Sequence, residues 1–137
     1  MTKNLSVPRL AALKKQSGRC YYCQAPMWIG KPNGFAKKHS ISLKQASRFQ
    51  CTGEHLIARQ DGGKDNRKNI VAACKFCNQS RHRRKKAPNA GEFKMHVSQR
   101  LARRKWHPKE LHHVLIYSDQ HRLSFSRNDS EVHINRC

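Results

Sequence analysis

Apolar residues fall along this chain in short, separated clusters rather than in one long periodic run. Leu10 and Leu13 share a face of a helix predicted over residues 6–17, with Pro8 suited to its first turn and Gly18 able to end it. Residues 24–50 read as an insertion in which Pro26, Gly30, Pro32, Asn33 and Gly34 break regular structure, and only residues 42–49 recover one or two helical turns. Residues 50–57 predict a strand, Asp61-Gly62-Gly63 a turn opening a polar loop to Lys68, and residues 70–73 the returning strand. A helix should then begin at Cys74-x-x-Cys77 and run to about Lys86, before Pro88, Asn89 and Gly91. Residues 92–106 predict an amphipathic helix: Phe93, Val97 and Leu101 recur every four residues, while Lys94, Arg100, Arg103 and Arg104 fall mostly elsewhere, and Pro108 stops it. Residues 114–117 are a strand candidate, and Leu123/Phe125 and Val132/Ile134 alternate around Asn128-Asp129 as in a hairpin. The fold class expected is α+β, divided into a lead-in helix over 1–19, a core over 20–86 with its insertion at 24–50, and a basic C-terminal helix with short strands over 87–137.

Composition adds a constraint. A chain of 137 residues fits one domain, and with 36% hydrophobic and 7% aromatic residues its core must be small and in need of a staple. Cys20/Cys23 and Cys74/Cys77 form two Cys-x-x-Cys pairs that can supply four thiolates to one tetrahedral Zn²⁺. The 50 residues between the pairs are no obstacle. Closing such a loop costs about 3–4 kcal/mol plus a constant, against roughly 10–16 kcal/mol from structural zinc in small peptides. Neither pair sits in a thioredoxin-like βαβ pattern, so a redox role fits less well. Cys51 is expected to be a small buried hydrophobe, and Cys137 an unstructured terminal residue. The first residues hold no continuous apolar stretch, which leads us to expect an intracellular protein, where such pairs hold metal more often than they form disulfides.

Charge narrows the partner. Twenty-nine Lys and Arg against eight acids leave a formal charge of +21, which folding does not require and which favours a polyanion, most often nucleic acid. Without a long apolar run, a lipidation signal or a basic helix with a bulky aromatic face, a membrane is not expected as partner. Arg81, Arg83, Arg84, Lys85 and Lys86 continue the predicted helix and are the candidate nucleic-acid contacts, with Arg100, Arg103, Arg104 and Lys105 as a second cationic surface.

The chemical grouping lies between these features. Asn78 and His82, four apart, share one face of a helix whose start the cysteines would pin. Glu54 adds a carboxylate from the strand, making a mixed set suited to Mg²⁺ or Mn²⁺ with positions left for water and phosphate. His55 is the natural general base, since a histidine of ordinary pKa near 6.5 takes a proton from water at neutral pH. Neighbours on a regular strand face opposite sides, so Glu54 and His55 can serve one phosphate only if the strand ends or distorts there.

The run Glu54-His55 … Asn69 … Cys74-x-x-Cys77-Asn78 … His82, with Cys20/Cys23 upstream, resembles the HNH endonuclease family. The resemblance implies a zinc-stapled ββα-metal core with flanking helices. It implies His55 as base, Glu54, Asn78 and His82 as ligands of a catalytic cation, and Asn69 as the residue bracing the loop between the strands. It further implies hydrolysis of phosphodiester bonds in DNA to 5′-phosphate and 3′-hydroxyl ends. RNA as substrate and the oligomeric state stay open. The chain departs from the common pattern in reading Leu56-Ile57-Ala58-Arg59 where many members carry Pro, in having Glu rather than Asp at 54, and in the length of its insertion.

Two rival readings use some of the same residues. A non-catalytic zinc-bearing DNA- or RNA-binding protein accounts for the charge and cysteines, but leaves the grouping of Glu54, His55, Asn78 and His82 to coincidence. A zinc nucleobase deaminase needs His-x-Glu and Pro-Cys-x-x-Cys, whereas here the order is Glu54-His55 and Ala73 precedes Cys74. The cysteine pairs predict one tightly bound zinc per purified chain, and elemental analysis that finds none in normally folded protein removes the clamp.

Overall fold

In a computed structural model that describes residues 5–115, the elements follow the order α1 (Ser6–Lys15), α2 (Asn33–His39), α3 (Leu43–Ala46), β1 (Cys51–His55), β2 (Ile70–Cys74), α4 (Lys75–His82) and α5 (Ala90–Ala102). Strands β1 and β2 form one antiparallel ladder, with Cys51 opposite Cys74 and His55 opposite Ile70, and α4 follows β2 without a break. The architecture is α+β: a ββα unit, a four-cysteine cluster and flanking helices.

A two-stranded ladder is marginal alone and leaves both outer edges open to pairing. Here both are covered. On β2, the Gln16 side chain imitates a strand: its Oε1 accepts from Ala72 N at 2.9 Å and its Nε2 donates to Ala72 O at 2.8 Å, while Tyr21 N donates to the same carbonyl at 2.9 Å. On β1, Cys51 N donates to Trp28 O at 2.8 Å and the Asn78 amide reaches Gly53 O at 3.3 Å. Three pieces distant in sequence thus complete the sheet.

The core lies between the ladder and residues brought from both sides. Leu13, Tyr22, Met27, Phe49, Val97, Leu111 and Val114 are fully buried, together with the four paired cysteines and Cys51. The insertion contributes much of this. Trp28 donates its indole N–H to Ala46 O at 2.7 Å, and Phe35 packs its ring 5.7 Å from that of Phe49. The breakers expected to keep residues 24–50 irregular instead start a helix, because Pro32 serves as the N-cap of α2 and Phe35 supplies a buried anchor. α3 is opened by a reciprocal capping box between Ser42 and Gln45.

Three expected elements are corrected. α4 ends at His82 rather than near Lys86, since Arg81 Nε binds Pro88 O at 2.9 Å and turns the chain back while four like charges follow one another. α5 ends at Ala102; Arg104 takes φ 55° and Trp106 folds inward, past the helix, to become 92% buried. Residues 112–115 are helical, so Val114 and Leu115 do not begin a strand; the remainder of that segment, the expected hairpin and Cys137 lie outside the described residues.

Phe49 sits where ladder, insertion and C-terminal segment meet, its ring 5.1 Å from that of His107. Phe49→Ala should lower stability by about 3–5 kcal/mol, read as a shifted urea midpoint with an unchanged slope.

Candidate active site and four-cysteine cluster

The four cysteine sulfurs converge from two tight turns: Cys20 and Cys23 follow α1, while Cys74 and Cys77 join β2 to α4. All four are buried and lie within 4.8 Å of one another. Zn–S bonds near 2.3 Å at tetrahedral corners put sulfurs about 3.8 Å apart, and Cys23 Sγ to Cys74 Sγ is 3.9 Å. Each sulfur also faces an N–H donor. Cys20 faces the Tyr22 and Cys74 amides at 3.4 and 3.3 Å, Cys74 the Cys77 amide at 3.4 Å, Cys77 the Trp106 indole at 3.3 Å, and Cys23 the His107 ring at 3.4 Å. Such a shell suits thiolates, and the cluster is consistent with a zinc site. Burial and the Arg48 guanidinium drive the His107 pKa down to about 3, so its ring is neutral. Arg48 Nη2, 3.4 Å away, can only donate to Nδ1, which leaves the His107 Nε2–H aimed at Cys23. Trp106 and His107, in the C-terminal segment, therefore reach the cluster; the sequence held no spacing signal for either.

A second group surrounds Glu54. This carboxylate is 2% exposed. Its Oε2 accepts from Tyr22 OH at 3.2 Å and pairs with Arg81 Nη1 at 3.4 Å. Burial, then the charge of Glu54, push the Tyr22 phenol well above its ordinary value, so it remains a donor. Glu54 Oε1 lies 2.9 Å from His82 Nε2, and His82 is more than a third exposed. Glu54 thus has a structural oxygen facing Arg81 and Tyr22, and another that meets His82. Asn78 donates its amide to Thr52 Oγ1 at 3.0 Å and to Gly53 O, anchoring α4 on β1 and leaving its carbonyl oxygen for another partner.

Glu54, His55, Asn78 and His82 border one cleft of about 600 Å³, with Arg59, Arg84 and Lys85 on its walls. The strand geometry allows this because β1 ends at His55. Glu54 Oε1 and His82 Nε2 meet in a 2.9 Å hydrogen bond, and the same carboxylate oxygen and imidazole nitrogen are a mixed donor set that a divalent cation can take in place of the shared proton.

The Asn69 side chain is engaged by the loop between the strands. Its Oδ1 accepts from Ile57 N at 2.8 Å, and its Nδ2 donates to Ile57 O at 3.0 Å and Lys64 O at 2.9 Å, clamping the two ends of the loop between the strands. The loop also requires glycine at 63, where a Cβ would overlap the Ile57 carbonyl oxygen.

Arg81, expected to reach nucleic acid, is instead internal. It is 3% exposed and its guanidinium donates to Tyr22 OH, His55 O, Leu56 O and Pro88 O. Those bonds satisfy the carbonyls where β1 ends. Arg83, Arg84, Lys85 and Lys86 are exposed, and of these Arg84 and Lys85 line the cleft.

The structure adds two residues that sequence reasoning missed. Asp65 Oδ1 lies 2.6 Å from His55 Nε2, and Arg59 binds Asp65 through Nε at 3.2 Å and Nη2 at 3.3 Å. One signal was present: three of only eight acids, Glu54, Asp61 and Asp65, fall within twelve residues of an otherwise basic chain.

Compared with known proteins, residues 20–84 match the protein-family model described as HNH endonuclease. No curated protein and no solved structure matches the chain. Losing the Arg81 guanidinium would strand the Glu54 carboxylate, so Arg81→Met should cost about 3–5 kcal/mol. Arg83→Ala, on the surface, should stay within about 0.5 kcal/mol in the same denaturation experiment.

Proposed function

We propose, from the premise that residues 20–84 form an HNH endonuclease domain, that this chain is a divalent-cation-dependent endonuclease acting on phosphodiester bonds in DNA. The observation that carries the reading is the shared cleft. His55 opens onto the same space as the Glu54 carboxylate and the His82 imidazole, two donors that a divalent cation can share.

Each side chain then has a distinct task. His55 takes a proton from water for in-line attack on phosphorus, with departure of the 3′ oxygen and products bearing 5′-phosphate and 3′-hydroxyl ends. Glu54 and His82, with the Asn78 carbonyl oxygen beside them, would hold the cation, Mg²⁺ or Mn²⁺ by the hardness of the donors, which when bound supplies Lewis acidity to the phosphate and the leaving oxygen. Arg81 pairs with Glu54 and binds the two carbonyls where β1 ends. Asn69 holds the loop that follows His55. Cys20, Cys23, Cys74 and Cys77 would carry structural zinc and fix where α4 begins.

Arg84 and Lys85, on the cleft wall, provide charge beside the scissile phosphate, and Arg83 and Lys86 extend it. Contacts of this kind give affinity without reading sequence and weaken with salt. Arg84→Ala should reduce the slope of log affinity against log salt by about 1.

A plasmid nicking and linearisation assay tests the reading. Wild type with Mg²⁺ or Mn²⁺ should cleave and should stop on chelation. His55→Ala should lose about 10²–10⁴-fold in rate while retaining zinc and DNA binding. Equal cleavage by that variant overturns the assignment of the base, and no cleavage by zinc-loaded wild type in either metal favours a binding protein.

A further inference from the structure

The loop between the strands brings a carboxylate onto the nitrogen of the proposed base. Asp65 is ten residues beyond His55, yet its Oδ1 is 2.6 Å from His55 Nε2, and both side chains are largely withdrawn from water at 13% and 14% exposure. The Arg59 guanidinium donates to both Asp65 oxygens, as to a carboxylate, and a carboxylate is an acceptor only. The partner of an acceptor must carry the proton. The hydrogen of a neutral His55 ring therefore sits on Nε2, and the lone pair on Nδ1. Arg59 Nε is also 3.2 Å from His55 Nε2, but it cannot donate to a nitrogen that already bears hydrogen. Its donors go instead to the two Asp65 oxygens. Among the described residues nothing bonds to Nδ1.

We propose that Asp65, braced by Arg59, is a positioning residue that fixes the ring plane and tautomer of His55, so that Nδ1 is the nitrogen that accepts the proton from water. The role assigned to Nδ1 rests on the nuclease reading above; the Asp65–His55 pairing does not. The pair is maintained by three further contacts. Asn69 ties Lys64 O to Ile57, Gly63 N donates to Ala58 O at 2.9 Å, and Asn66 Oδ1 caps Lys68 N and Asn69 N at 3.1 Å. Together these hold residue 65 at a fixed distance from the end of β1. Arg59, 54% exposed at its side chain, contributes the bidentate grip that stops the carboxylate from rotating away.

The test has an arm that needs no catalysis. Long-range ¹H–¹⁵N correlation of the His55 ring, in folded zinc-loaded protein at a pH where the ring is uncharged, should show hydrogen on Nε2 in wild type. The tautomer should become mixed in Asp65→Leu, where no acceptor remains, and persist largely in Asp65→Asn, whose carbonyl oxygen can still accept. Hydrogen on Nδ1 in wild type overturns the proposal whether or not DNA is cut. In single-turnover cleavage, Asp65→Leu should lose on the order of 10–100-fold in rate with DNA affinity and zinc content unchanged, and Asp65→Asn should recover part of that loss. Wild-type rates in Asp65→Leu, or faster cleavage because Asp65 had been blocking the ring, also overturn it. If wild type and His55→Ala cleave alike while the Nε2–H signal depends on Asp65, the nuclease role of His55 fails and the positioning contact stands.

Discussion

The four buried sulfurs join two parts of the chain that are far apart in sequence: the turn after α1 and the junction where β2 runs into the first turn of α4. Because Cys74 closes the strand and Cys77 opens the helix, the phase of α4 against the ladder is set where the sulfurs meet. That phase decides which residues of α4 face β1. Asn78 then lies over Thr52 and Gly53, Arg81 under the carbonyls of His55 and Leu56, and His82 against Glu54. A helix rotated by one residue, about 100°, would take all three away from the cleft. In a chain with so few large apolar side chains, four sulfurs converging where a metal ion can bind constrain that phase more decisively than packing alone.

A second constraint is electrostatic. Glu54 and Arg81 are an acid and a base buried together, each nearly free of solvent. Such a pair adds little net stability, but it is costly to break, so it favours one arrangement over its neighbours. Here its partners on every side belong to the site: Tyr22 from the first cysteine turn, His82 from α4, and the two carbonyls that end β1. The cleft is a by-product of this packing. β1 has to stop at His55 because Arg81 binds the carbonyls there, and stopping lets adjacent residues 54 and 55 border the same space.

The C-terminal segment and the insertion are parts of the core rather than appendages. Trp106 and His107 place ring N–H groups against Cys77 and Cys23, and Arg48 from the insertion stacks 3.7 Å over the Phe76 ring while engaging His107. These contacts surround the sulfur cluster with N–H donors and the Arg48 charge, partners that suit metal-bound sulfur in a region that water does not reach.

Local spacing was enough for much of this. Two Cys-x-x-Cys turns can be recognised because the knuckle is a short-range structure, and the strand connection because Gly62 takes a positive φ and Gly63 leaves room for the Ile57 carbonyl. Asn78 and His82 share a face because a helix repeats every 3.6 residues. What the sequence alone could not decide were contacts between residues far apart and of unremarkable type. Arg81 stands in a run of six basic residues, and nothing in that run distinguishes the one that turns inward from the five that remain in water. Pro32 and Gly34 look like breakers until Phe35 has a core to enter. Asp65 meets His55 through a loop whose path depends on Asn69, and Trp106 reaches Cys77 from 29 residues away. Composition and short motifs determined the metal-ready turns, the ladder and the charge. Only the folded chain decided which polar groups are buried together, since burying a charge is tolerable only where its partners have already converged.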